Sequence, residues 1–230
     1  MNLKLFKRFG FYLIGFGMGI IIVMFFFNNR GCSWMPENRV KNIISERTLI
    51  CDSITYMKIK SYGINKNNIL NLIDDSDVDF SNSKKDGFPK IYKLTLSTTK
   101  GEKDCYFLLF DKTFFCELFL TKKEITEIPQ HLLNKSVLSI PTNGNYIPSL
   151  SNKDRSNPKL NEIQINKQKD LINKLNNNII NCNIKLDEHE KNKYMFQINL
   201  NKRNKNATLE FIGDDKQLIF SKIYNMNNKK

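Results

Sequence analysis

The chain has 230 residues, 40% of them hydrophobic, and carries 36 basic against 23 acidic side chains, a formal charge of +13. Its five cysteines are odd in number and none is spaced as Cys-x-x-Cys, which argues against a complete disulfide framework and against a zinc or dithiol redox motif. Residues 151–230 hold 16 bases and 9 acids, so the C-terminal part is strongly basic, but Arg is scarce beside Lys. Planar bidentate readout of phosphate and base edges prefers Arg, so the charge reads as compositional and nucleic acid is not the expected partner.

Residues 1–8 form a short basic tail, expected in the cytoplasm. Residues 9–27, FGFYLIGFGMGIIIVMFFF, carry no charge. At ~1.5 Å per residue the run rises about 28 Å, close to the ~30 Å hydrocarbon core of a bilayer, and predicts a transmembrane helix. A cleaved signal peptide is the alternative, but no Ala-x-Ala follows. The expected location is a single-pass inner-membrane protein with its body in the periplasm and the lipid bilayer as a partner. Lys7, Arg8, Arg30 and Trp34 are candidate membrane-interface residues. Gly15 and Gly19 form a GxxxG that would let two such helices approach; against this, Gly is common in membrane helices.

Residues 28–52 read as a juxtamembrane helix or stalk opened by Pro36, with Val40, Ile43, Ile44 and Leu49 at helical spacing. Residues 53–138 read as a first α+β domain. Ser53 is positioned to cap a short helix stopped by Gly63, and Asn65 a second one carrying Ile69, Leu70, Leu72 and Ile73. The pattern then alternates through residues 78–80, 91–97, 105–110 and 114–120, predicting a four-stranded antiparallel meander. One more helix is expected over residues 124–138, broken near Pro129.

Residues 139–160 are rich in Pro, Asn, Ser and Gly and read as a linker. In the second α+β domain, residues 161–226, a helix after Asn166 precedes four strand-like runs at 182–186, 194–200, 207–212 and 217–224. The order of elements repeats, and Ile64-Asn65-Lys66 matches Ile165-Asn166-Lys167 at the helix entry. The expected fold class is therefore α+β: a transmembrane helix followed by two small helix-plus-antiparallel-meander units related by duplication, with one continuous sheet as the alternative.

The stretch SITYMKIKSYGINKNNILNLIDDSDVDFSNS, followed by KIYKLTLS, resembles the bacterial domain-of-unknown-function family 4258. The opening GCSWMPENRVKNII after an apolar run is similar to its membrane-anchored flavobacterial members. The resemblance covers about residues 30–120. It implies two short helices before a curved antiparallel sheet, and no reaction. Soluble members carry a His and an Arg where this chain has Ile54 and Lys58, so any chemistry of that pair is not carried over. Their outline is also similar to small ribonuclease toxins, an analogy of fold alone.

Candidate chemistry is sparse. Asp74, Asp75, Asp77 and Asp79 cluster, but a calcium loop counted from Asp75 needs Gly where Phe80 stands and Glu where Asp86 stands. His131 and His189 have no Cys or Ser at a recognisable spacing. Lys202, Arg203 and Lys205 form a basic turn able to touch an anion. No catalytic, metal or cofactor residue is expected. The expected function is a non-enzymatic protein-interaction module with a partner in the envelope. The alternative is a membrane-tethered RNA-binding or degenerate ribonuclease-like module facing the cytoplasm.

Overall fold

A computed structural model describes residues 3–28, 35–110, 113–125, 131–142, 147–151, 153–154, 157–186, 191–200, 206–213 and 217–224, with backbone alone at 3–7, 25–28 and 131. The chain divides into two compact units, Met1–Arg39 and Val40–Lys230. The first contains helix α1, Leu3–Asn28. Among the described residues no helix is long and apolar enough to cross a membrane. On this ground the transmembrane helix at 9–27, the inner-membrane location and the periplasmic body are corrected. The membrane-packing role of Gly15 and Gly19 falls with them; a Cβ at either position would meet no described atom within 4 Å.

Helix α2, Pro36–Ser45, buries Val40, Lys41 and Ile44. The stalk expected to continue through Leu49 instead turns into strand β1, Thr48–Cys51, buried at every position. Helix α3, Ser53–Ser61, starts one residue after its cap: Asp52 accepts from the Thr55 N–H at 2.6 Å, satisfying one of the first-turn donors. Helix α4, Ile69–Asp74, buries Ile69 and Ile73. Strands β2 (Asp77–Lys84), β3 (Lys90–Thr98), β4 (Gly101–Leu109) and β5 (Phe115–Phe119) follow where the alternation places them.

Residues 131–139 are strand β6, His131–Ser139, and not the expected helix. The segment expected to be a linker contains strand β7, Pro148–Ser149, and helix α5, Pro158–Glu162. Helix α6, Gln168–Asn178, leads into β8 (Ile179–Lys185), β9 (Asn192–Asn199), β10 (Asn206–Gly213) and β11 (Leu218–Tyr224).

The expected pair of separate meanders is corrected to one mixed sheet of 11 strands, in the order β2-β3-β4-β5-β1-β6-β8-β9-β10-β11-β7. Strand β6 joins the halves, antiparallel to β1 on one side and to β8 on the other. Within the sheet the two halves share one plan. Strand β1 lies parallel to β5 after a meander, and β7 lies parallel to β11 after another. The turn between the paired helices also repeats. Ile64 N–H donates to Ile59 C=O at 3.1 Å and Ile165 N–H to Leu160 C=O at 2.9 Å, the long back-bond of a helix that ends on a left-handed residue. That residue is Gly63 (φ 83°) in one half and Gln164 (φ 61°) in the other.

The helices of the two halves cover opposite faces of the sheet. In the first half, Ile59, Ile69 and Ile73 pack with Leu94, Cys105, Phe107 and Leu118. Glu117 points to the other side and meets Lys135 of β6. Lys135 stands opposite Cys182 of β8. Cys182 belongs to the core that Leu171 and Leu175 of α6 form with Tyr194, Phe196 and Phe211. The reversal follows from the joint: β6 is a single strand antiparallel to both neighbours, so the second half enters the sheet with its strand directions reversed. A crossover of the same hand must then place its helices on the other side.

That second core also takes Ile50, Leu108, Phe110, Phe114 and Phe115 from the first half. Phe115 on β5 and Tyr194 on β9 are four strand spacings apart, ~19 Å in a flat sheet, yet their ring centroids lie 6.4 Å apart. The sheet therefore coils on itself. Register shifts between Leu49 and Ile50, Leu132 and Lys135, and Ile179 and Asn181 lie in the bent segment, where bulges add twist and bend.

Candidate functional site

The titratable groups inside the body are sealed. Glu117 is 2% exposed; burial raises its carboxyl pKa, and the hydrogen bond from Lys135 opposes the rise. The pair lies in the strip β5-β1-β6-β8 where the halves meet. Burial pushes the thiols of Cys51 and Cys105 up to about 12, and those of Cys116 and Cys182 higher still. The thiolate is the reactive form, so these four cysteines are inert apolar packing at neutral pH. Cys32 lies outside the described residues.

A cleft of about 190 Å³ opens at the joint, lined by Lys66, Leu70, Val137, Ser139, Asn176 and Ile179 among others. Its polar group of most consequence is Lys66, whose Nζ donates to the Ile179 carbonyl at 3.3 Å and whose pKa is lowered by burial. Ile179 is the residue that closes α6. A helix ends in unsatisfied carbonyls with partial negative charge, so the Lys66 ammonium answers α6 itself.

The acidic cluster divides between two structural jobs. The Asp74 carbonyl accepts from Lys41 Nζ at 3.0 Å, and Asp75 closes α4. Asp79 accepts from the Ser81 and Asn82 N–H groups at 3.0 and 3.1 Å, and its other oxygen from Lys93 Nζ at 3.2 Å. The side chains of Ser81 and Asn82 donate to it as well, each at 2.6 Å, and these two bonds, ahead of the Asn82 N–H and Lys93, hold its carboxyl far below the ordinary 3.8. Among the described residues no group of three or more His, Cys, Asp and Glu side chains is placed to hold a metal ion.

What remains open to a partner is sheet surface. The first half leaves uncovered the outer part of the face opposite α3 and α4. Registers place Asp77 beside Thr95, Asp79 beside Lys93, Asp104 beside Thr95, Glu102 beside Ser97 and Lys84 beside Ile91. Four acids stand there against two bases, a net −2. The second half leaves uncovered the face opposite α5 and α6. Cross-strand rows there run Lys185, Lys193, Ile212, Ile219 and Asn183, Met195, Glu210, Lys222, with Gln197, Thr208 and Tyr224 behind. Three bases stand against Glu210, a net +2. Glu210 accepts from the Tyr224 hydroxyl at 2.6 Å. Among the described residues, the buried apolar side chains of α2 to α6 all belong to the two cores.

The residues singled out from sequence fare unevenly. Arg8 is exposed on α1, and the side chain of Lys7 lies outside the description. Arg30, Trp34, Lys202, Arg203, Lys205 and His189 lie outside the described residues, as does the side chain of His131. The acidic and basic sheet faces were missed because each is assembled from strands far apart in sequence. Their signal was the polar half of each alternating strand, Asp77/Asp79 and Lys185/Lys193 above all. No protein-family model, curated protein or solved structure matches this chain.

Proposed function

We propose that the Val40–Lys230 body is a non-catalytic protein-interaction module. The observation that carries this reading is the pair of uncovered, oppositely charged sheet faces on a body whose described thiols and Glu117 carboxylate are buried. A sheet face with alternating polar side chains offers partner specificity through charge rather than a reaction centre. The test is photo-crosslinking in the full-length chain, with the reactive group at Gln197 on one face and at Thr95 on the other. Protein adducts from one or both positions are expected. Absence of any protein adduct from either position refutes the module.

A second reading is RNA binding on the basic face, favoured by Lys185, Lys193 and Lys222 beside Asn183, Gln197 and Tyr224. It has one aromatic where single-strand binders use a row of them. Absence of RNA affinity at low salt, where phosphate contacts are strongest, removes this reading.

A further inference from the structure

The two uncovered faces differ in more than charge. They lie on opposite sides of one sheet, because the second half is turned over at β6. Each spans three or four strands ~4.8 Å apart and about seven residues at ~3.4 Å, so each offers roughly 350–450 Å². Their charges, −2 and +2 by the side chains already named, are equal and opposite.

We infer that the acidic face of one copy docks on the basic face of a second copy. This rests on the interaction-module reading and names its partner. The two patches are different surfaces, so the contact is heterologous. Each docked copy presents one face and leaves the other open, and association continues head to tail unless the rotation closes a ring. A contact burying roughly 700–900 Å² in total falls in the weak, transient class. The chain's charge of +13 opposes association. At physiological salt, however, exposed charges more than ~8 Å apart are largely screened, so the facing patches decide the sign.

Sedimentation velocity on the full-length chain tests this at about 0.1 M and about 1 M salt, where the screening length falls from ~10 to ~3 Å. The wild type is expected to gain mass with concentration at low salt and to lose that gain at high salt. Asp77→Lys with Glu102→Lys makes the acidic face basic; Lys185→Glu with Lys222→Glu makes the basic face acidic. All four side chains are exposed, so both variants are expected to fold, with a circular-dichroism melt as the check. Each variant alone should associate at least about tenfold more weakly, because like charges then face each other. An equimolar mixture of the two should associate again. The neutral pairs, Asp77→Asn with Glu102→Gln and Lys185→Gln with Lys222→Gln, should weaken association without rescuing each other.

A wild type that stays monomeric at low salt overturns the inference. If crosslinks from Gln197 or Thr95 to another protein persist, the interaction module stands with a different partner. Association that grows with salt, or that both reversals leave unchanged, places the contact elsewhere and also overturns it. Association abolished by nuclease transfers the basic face to RNA.

Discussion

The two halves of the body follow one plan and use it differently. In the first, α2 to α4 enclose a core drawn entirely from residues before 139, with Ile44, Ile59, Leu94 and Phe107 at its centre. In the second, α5 and α6 cover a core that must borrow Ile50, Phe110, Phe114 and Phe115 from the first. The lesson is that repeating a fold does not repeat its independence. The first half owns one core and lends its other face; the second has no complete core of its own.

The joint is the place to break this comparison with the largest effect. Lys135→Met leaves the Glu117 carboxylate buried without its partner, and a loss of about 3–5 kcal/mol is expected in urea unfolding. Glu117→Leu in the same chain should recover most of it, because the pair's desolvation cost disappears with the charge. The pH dependence of the single variant gives the sign. Glu117 has a folded pKa above its ordinary 4.5, and without Lys135 it rises further. Lys135→Met should therefore gain stability relative to wild type as pH falls through that raised value. It should lose this gain as pH rises through it.

Gly213 tests how closely the halves touch. An added Cβ would lie 2.8 Å from both Leu218 Cδ1 and Phe114 Cε2. Gly213→Ala should cost about 1–3 kcal/mol by overpacking, with the near-ultraviolet signal of the Phe114–Tyr194 contact perturbed in the same sample.

The repeated helix turn sharpens the comparison with a difference of sign. Gly63→Ala forces a Cβ onto φ 83° and within 2.6 Å of Thr99 Oγ1, so a loss of about 1–2 kcal/mol is expected. Gln164 already carries a side chain at φ 61°. Gln164→Gly should be neutral or stabilising by up to about 1 kcal/mol, since relief of left-handed strain outweighs added chain entropy. Equal destabilisation by both would end the equivalence of the turns.

The smallest effect belongs to the acidic face. Asp79 and Asp104 have carboxyl pKa values below the ordinary 3.8, held there by hydrogen bonds from Ser81 and Asn82 and from Lys93 respectively. Depressed carboxylates contribute stability that is present above ~4 and is lost as pH falls through their folded values. Carboxyl NMR titration should find both ionising below the ordinary 3.8. An Asp79→Asn variant should show a shallower acid transition than wild type.

Much of the fold was legible because its signals were local. Strands 77–98 and 192–224 alternate cleanly, and the turns at Gly63 and Gln164 sit beside the same Ile-Asn-Lys triplet. The decisive strand was hidden. Residues 131–139, HLLNKSVLS, do not alternate, because the bulge at Asn134, with φ 53°, inserts a residue and returns Val137 to the core face. Spaced that way, Leu132, Leu133, Val137 and Leu138 imitate a broken helix. Strand β7 is two residues, the first of them Pro148, too short to show a period. Misreading β6 left two separate units where there is one sheet. The open faces followed the same logic: neighbours such as Asp79 and Asp104 meet only through registers that no local pattern encodes. The apolar run at 9–27 suggests a membrane span by its length, yet among the described residues no helix is long and apolar enough to cross a membrane.

The borrowed aromatics have a consequence during synthesis. Phe115 leaves the ribosome about 79 residues before Tyr194, the second-half ring that packs beside it. At ~5–20 residues per second this interval lasts about 4–16 s. Throughout it the first half can be fully folded around its own core while Phe110, Phe114 and Phe115 face water. The nascent chain thus passes through a stage that is native on one side and adhesive on the other, and a chaperone that binds exposed aromatics has its longest opportunity then.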